Sequence, residues 1–71
     1  MPYKIKDLQF SGDQYFADGE KFKTKREACE QLISYHSIDC DMHEEQKLLN
    51  AGKVGECWDL LAQFEWELEK I

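Results

Sequence analysis

The sequence predicts an α+β fold, in which an N-terminal antiparallel β-hairpin or small meander packs against two or three α-helices. Residues 3–6 alternate apolar and basic side chains, as a half-buried strand does. Asp18-Gly19 separates two short strand-like runs, 14–17 and 20–23, and such a pair favours a two-residue hairpin turn. Residues 25–37 then carry apolar side chains at helical spacing.

A single domain spanning residues 1–71 is expected, because chains usually divide only well above this length. Residues 11–13, Ser-Gly-Asp, predict a turn after the first strand. Thr24-Lys25-Arg26-Glu27 matches the S/T-x-x-E capping box, so the first helix should run from Lys25 to about Ser37. A second, shorter helix should follow, capped by Asp39 or Asp41 and ended by Asn50-Ala51-Gly52.

The last segment has two interpretations. Apolar residues from Val54 to Leu68 follow helical spacing and favour a terminal helix from about Gly55, yet residues 64–69 alternate strictly, as a strand would. On the helical interpretation Trp66 is an exposed aromatic on an acidic face. The predicted core consists of Ile5, Leu8, Phe16, Phe22, Cys29, Leu32, Ile33, Leu49, Val54, Trp58, Leu61 and Phe64.

The charge of the chain is unevenly distributed. Its formal net charge is −6, with six acids and six bases in residues 1–38 but nine acids and three bases in residues 39–71. Such a field repels nucleic acid and favours a basic protein surface. Two interpretations of the acidic half stay open: a carboxylate surface that imitates nucleic-acid phosphate in a basic cleft, or acidity that only keeps the protein soluble. No apolar run approaches the ~18 residues of a membrane span, and no hydrophobic signal region follows the start, so we expect no membrane association and a cytoplasmic location.

One local pattern suggests a metal site. His36-x3-Cys40-x2-His43, followed by Cys57, supplies the nitrogen and sulfur ligands that zinc takes in a tetrahedron. A structural zinc there would tie three segments together in a domain short of core. Cys29 competes with Cys57 for the fourth position. The alternative is that both cysteines are small core residues and both histidines are ordinary side chains.

Catalysis is not expected. The sequence has no Gly-rich phosphate loop, G-x-S-x-G elbow or HExxH motif, and a chain this short leaves little room for a substrate pocket. Residues 18–28 resemble the strand-to-helix stretch of arm-type DNA-binding domains in tyrosine recombinases. That resemblance implies a DNA-associated accessory or regulatory protein using the basic N-terminal hairpin, but the acids in the same half of the chain weaken a net basic footprint, so direct nucleic-acid binding is not favoured.

A second resemblance concerns the whole chain. The stretches 22–28 and 32–39 and the ending Trp66-Glu67-Leu68-Glu69 resemble small acidic proteins encoded by phages and prophages of Gram-positive bacteria. The anti-CRISPR proteins against type II systems are similar in size and acidity, and some carry zinc. Membership would imply binding to the RNA-guided nuclease in the host cytoplasm and blocking its DNA loading or cleavage.

The sequence therefore predicts an inhibitor that binds a host protein through carboxylates of its second half and an aromatic anchor. The type II RNA-guided nuclease is the partner that the resemblance suggests. The residues predicted to contact the partner are Glu44, Glu45, Asp59, Trp66 and Glu67.

Overall fold

The computed structural model describes residues 2–9 and 14–71, and the predicted turn at 11–13 lies outside them. The described elements, in chain order, are strand β1 (Tyr3–Asp7), helix α1 (Lys25–His36), helix α2 (His43–Asn50), helix α3 (Val54–Leu61) and strand β2 (Trp66–Lys70). A short 3-10 segment lies at Ala62–Phe64, and Phe16–Gly19 form a turn. The predicted α+β class, with an antiparallel sheet at the N-terminal strand and helices packed against it, is confirmed.

The sheet joins the first and last described elements. β1 pairs antiparallel with β2, in a register that sets Tyr3 opposite Lys70 and Asp7 opposite Trp66. One face of this pair carries Ile5, which is fully buried against the core. The other face sets two lysines opposite two glutamates, in the pairs Lys4–Glu69 and Lys6–Glu67. Opposite charges across an antiparallel pair stabilise it and fix its register.

The second strand of the sheet comes from a different part of the chain than predicted. Residues 14–23 form no strand pair around Asp18-Gly19. They turn through positive φ values at Ala17, Asp18 and Gly19 and touch β1 through the isolated bridges Tyr3–Phe22 and Lys6–Tyr15. β1 therefore lies between this segment and β2, and the helical interpretation of residues 66–70 is wrong.

The first helix begins at its predicted cap, Thr24, whereas the N-cap of the second is Met42, which makes no side-chain cap hydrogen bond. Thr24 Oγ1 accepts a hydrogen bond from the Glu27 amide (3.1 Å), and Glu27 Oε2 accepts one from the Lys23 amide (3.0 Å). Asp41 Oδ1 accepts one from the His43 amide (3.0 Å) at the start of α2. After α2, Gly52 adopts a φ of 79°, which favours glycine and lets the chain turn into α3.

The core lies where the three helices meet the inner face of the sheet. Its buried members are Ile5, Phe22, Ala28, Cys29, Leu32, Ile33, Met42, Leu49, Cys57, Trp58, Leu61 and Trp66. Phe16, Val54 and Phe64 pack at its edge and are only partly buried. The prediction that Leu8 is a core residue is wrong, since 49% of it is exposed just beyond the end of β1.

Within residues 2–9 and 14–71, no helix has both the length and the apolar character that a membrane crossing requires.

Candidate functional site

A hydrogen bond joins Trp66, which was predicted to contact a partner, and His36, which was predicted to bind zinc. The Trp66 indole Nε1–H donates a hydrogen bond to His36 Nε2 at 2.8 Å. Trp66 opens β2 and His36 ends α1, so this bond connects the sheet to the first helix. Trp66 is 8% exposed. The expectation that it is an exposed anchor for a partner is therefore wrong, because the strand turns its side chain inward.

An aromatic cluster surrounds this hydrogen bond. The His36 ring stacks on Phe64, with centroids 4.2 Å apart and planes at 28°. The Tyr35 ring meets Trp66 edge to face at 6.1 Å, and Phe16 meets Trp66 edge to face at 5.6 Å. These are the offset and perpendicular arrangements that aromatic quadrupoles favour, so the rings hold His36 in one orientation.

A cleft of about 330 Å³ opens beside the cluster. This volume lies at the lower end of the roughly 300–1,000 Å³ range of ligand pockets. The cleft is lined by Asp7, Gln9, Tyr35, His36, Asp39, Phe64 and Trp66. It thus combines ring surfaces with two carboxylates, while none of its lining residues is a lysine or an arginine.

His36 is held in its neutral form. Because Nε2 accepts the indole hydrogen bond, the proton of the neutral ring lies on Nδ1. Burial lowers the pKa of His36 below its usual 6.5, and this effect outweighs the opposite influence of the Glu45 and Asp39 carboxylates. Protonation of Nε2 would remove the acceptor and break the contact with Trp66.

The four predicted zinc ligands occupy different surroundings. Cys40 and His43 are exposed, Cys57 is fully buried, and His36 Nε2 is bonded to Trp66. Among the described residues, no three His, Cys, Asp or Glu side chains form a group that could hold a metal ion. A zinc ion at His36 would have to bind Nδ1 or displace the Trp66 indole.

Cys29 and Cys57 belong to the core, and both are completely buried. Burial, followed by the influence of Cys57, raises the pKa of the Cys29 thiol to about 12, and burial also raises the pKa of Cys57. A thiol in this state is a poor nucleophile and a poor metal ligand, since both roles need the thiolate.

Zinc binding stays a prediction that metal analysis can test. If His36, Cys40, His43 and Cys57 hold structural zinc, the purified protein should contain stoichiometric zinc. A chelator and the Cys40→Ser variant should then lower the melting temperature by equal amounts, because both remove the same site. If the protein melts at the same temperature with and without chelator, the zinc hypothesis fails. Cys40→Ser should then be nearly neutral, since Cys40 is exposed.

The predicted partner-binding carboxylates lie on three elements. Glu44 and Glu45 occupy the first turn of α2, Asp59 lies on α3, and Glu67 lies on the outer face of the sheet opposite Lys6. Glu44, Asp59 and Glu67 are exposed, and Glu45 is half-buried. The charge of Glu45 acts to raise the pKa of both His36 and Cys57, although burial is the largest influence on each of these groups.

Sequence reasoning missed four residues of the cleft. Asp7 and Gln9 come from the end of β1 and the turn after it, whereas Tyr35 and Asp39 flank the end of α1. Tyr35 is an aromatic that is 54% exposed at the edge of an otherwise buried cluster. The one sign of the cleft in the sequence was that Tyr35 is adjacent to His36. This sign could not be interpreted without knowing that β1 pairs with β2.

Comparison with protein-family models, curated proteins and solved structures found no match to this chain.

Proposed function

We propose that this protein is a binding module that recognises a basic surface on another protein, and that it acts as an inhibitor of that partner. The distribution of charge after folding supports the proposal. Two acids of the second half, Glu67 and Glu69, lie opposite Lys6 and Lys4 in the sheet. Residues 39–65 retain seven acids against two bases.

Most of these remaining carboxylates are open to a partner. Asp39, Asp41, Glu44, Glu56, Asp59 and Glu65 are all exposed. Among the described residues, the one ion pair within 4.0 Å joins Arg26 and Glu30, both in α1. A surface of this sign steers a basic partner toward it and sets the salt dependence of association.

An exposed aromatic other than the predicted Trp66 accompanies the acids. Trp66 is buried, whereas Tyr35 is 54% and the nearby Ile38 is 81% exposed at the end of α1. Tyrosine is among the residue types that contribute most binding energy at protein interfaces. Tyr35 therefore replaces Trp66 as the proposed anchor.

The particular partner that we propose is a type II RNA-guided nuclease in a host cytoplasm, following the resemblance to anti-CRISPR proteins. A nuclease that holds nucleic acid presents the basic grooves that such a surface fits. The alternative, a DNA-associated protein using its N-terminal bases, has less support. Lys4 and Lys6 lie opposite acids, and Arg26 donates to the Leu49 carbonyl oxygen at 3.0 Å.

A pull-down tests the proposal directly. The tagged full-length chain is incubated with nuclease-treated lysate of a Gram-positive host that expresses a type II CRISPR system, and bound proteins are identified by mass spectrometry. Stoichiometric recovery of the RNA-guided nuclease would support the proposal, and recovery of another basic protein would replace the target. Retention of DNA alone, when nuclease treatment is omitted, would favour the DNA-associated alternative.

Charge reversal at the start of α2 should weaken this binding. We expect Glu44→Lys with Glu45→Lys to reduce affinity for the recovered partner about tenfold at low salt, and to reduce the salt sensitivity of binding. The pair should also cost about 1–2 kcal/mol of stability, because acids near a helix N-terminus are favourable. Affinity is measured by titration calorimetry on variants shown to be folded by circular dichroism.

A matched control separates local from overall charge. Glu20 is exposed in the N-terminal half, so Glu20→Lys changes the net charge as much as Glu44→Lys alone does. We expect Glu44→Lys to weaken binding and Glu20→Lys to leave it within about twofold. If a folded double variant binds at low salt as tightly as the unchanged protein, the acidic surface of α2 is not the contact surface.

A further inference from the structure

The cleft beside His36 has walls of two kinds. Tyr35 and Phe64 contribute ring surface, and Tyr35 is the more exposed of the two. Asp7 and Asp39 also line the cleft, one from the end of β1 and one from just after α1. Rings beside carboxylates form a surface suited to a cation, because the ring face and the carboxylate both carry negative potential.

The polar groups that line the cleft differ in how much of their hydrogen-bonding capacity is used within the protein. The Trp66 Nε1–H group and His36 Nε2 bond to each other, so these two atoms already have a partner. Asp7 Oδ1 accepts one hydrogen bond, from the Gln9 amide at 3.0 Å. An ionised carboxylate has about four acceptor sites, so Asp7 retains the capacity to accept from a ligand.

We infer that this cleft binds the guanidinium group of an arginine side chain presented by the partner protein, with Asp7 and Asp39 as acceptors and Tyr35 as the stacking surface. The inference deepens the proposed function and takes from it the basic character of the partner. Arginine fits better than lysine for two reasons. Its planar group stacks on rings and donates five N–H groups in a fixed fork, whereas the ammonium of lysine is compact and strongly hydrated.

The size of the cleft agrees with a single side chain. Its volume of about 330 Å³ accommodates one extended residue rather than a large cofactor. The charge of its lining also favours a cation over an anion, since two aspartates line the cleft and burial lowers the pKa of the His36 imidazole. An anionic ligand such as a phosphate would meet repulsion there.

A titration with N-acetyl-arginine amide tests the inference on the full chain. The ligand is added at concentrations on the order of ten millimolar, as a single side chain requires, and the two indole N–H signals are followed by NMR. Trp66 lines the cleft, whereas Trp58 is buried on α3 away from it. We expect a saturable shift of the Trp66 signal and little change at Trp58.

Two matched controls separate charge at this site from general effects. N-acetyl-citrulline amide has nearly the same shape as the arginine ligand but no charge, so it should give little shift. Asp39→Asn should weaken arginine binding about three- to tenfold, whereas Asp18→Asn, at an exposed acid outside the cleft, should change it less than about twofold.

Several outcomes would overturn the inference. These are equal shifts with citrulline, equal shifts at the two indoles, equal losses in the two asparagine variants, or no saturable shift at Trp66. The two proposals remain separable. If a partner is recovered by pull-down while Trp66 does not respond, the arginine cleft fails and the binding function stands. If arginine binds at Trp66 and no protein is recovered, the proposed function fails and the cleft stands.

Discussion

A chain that stops at Glu65 should lose cooperative folding. Residues 66–70 form the whole of β2, the strand that pairs with β1 along its length. Their removal also takes away Trp66 and leaves Ile5 without its cross-strand neighbour Leu68. The core of a domain below about 70–80 residues rarely contributes more than about 3–5 kcal/mol to the free energy of folding. Removal of β2 should therefore cost more free energy than the remaining residues can supply.

Urea denaturation followed by circular dichroism measures this effect. The matched control removes only Ile71, which is 47% exposed and donates one backbone hydrogen bond to the Pro2 carbonyl oxygen at 3.0 Å. That control should keep a cooperative transition. A cooperative transition in the chain that stops at Glu65 would show that β2 is dispensable and would contradict the sheet.

Replacing Trp66 with alanine should lower the free energy of unfolding by about 3–5 kcal/mol, the usual cost of truncating a buried tryptophan. The indole fills the space between Phe16, Tyr35 and His36, and it supplies the hydrogen bond that joins β2 to α1. The matched control is Ile38→Ala. Ile38 is 81% exposed, so its truncation should change stability by no more than about 0.5 kcal/mol. Similar losses in the two variants would contradict the buried position of Trp66.

Acidification offers a second measure of the same contact. The folded-state pKa of His36 lies below 6.5, because burial disfavours its charged form. Its contribution to stability is therefore complete above pH 6.5 and is lost as the pH falls through the folded-state pKa. His36→Gln keeps an acceptor for Trp66 but does not titrate. When the pH is lowered from about 8 to about 5, the unchanged protein should lose more unfolding free energy than His36→Gln does. An equal loss in the two proteins would contradict the lowered pKa of His36.

The local signals in the sequence were sufficient for the first two helices. Thr24 and Glu27 cap the start of α1, Asp41 accepts from the His43 amide one residue before the N-cap of α2, and Gly52 follows the end of α2. Each of these residues acts on backbone groups only a few positions away. A short-range rule can identify such contacts because both partners lie in the same stretch of sequence.

The C-terminal segment contains two periodicities because it contains two elements. Helical spacing holds over α3 and strict alternation holds over β2, and the chain changes from one to the other at Glu65. Glu65 adopts the left-handed conformation, with a φ of 67°, a place where glycine is usual. A glutamate gives no sign of such a break, so the sequence offered no reason to divide the segment there.

The hairpin prediction was wrong for a related reason. Asp18 and Gly19 do adopt positive φ, as a hairpin turn would require, but Ala17 does so as well. Residues 14–17 and 20–23 do not pair with each other, and β1 bonds instead to Gln14 and Phe22 on one side and to β2 on the other. The same long-range pairing brings Trp66 to His36, and for that reason the cleft was not visible from spacing alone.

The pairing of β1 with β2 also constrains how the protein is made. The ribosome releases residues 3–7 early, but their partner strand belongs to the last part of the described chain to be synthesised. Until then the fully buried Ile5 has no strand beside it on the β2 side. α1 and α2 can form during translation, because their caps are local. The native sheet must wait until residues 66–70 have left the exit tunnel, so β1 stays without its partner strand while the three helices are being synthesised.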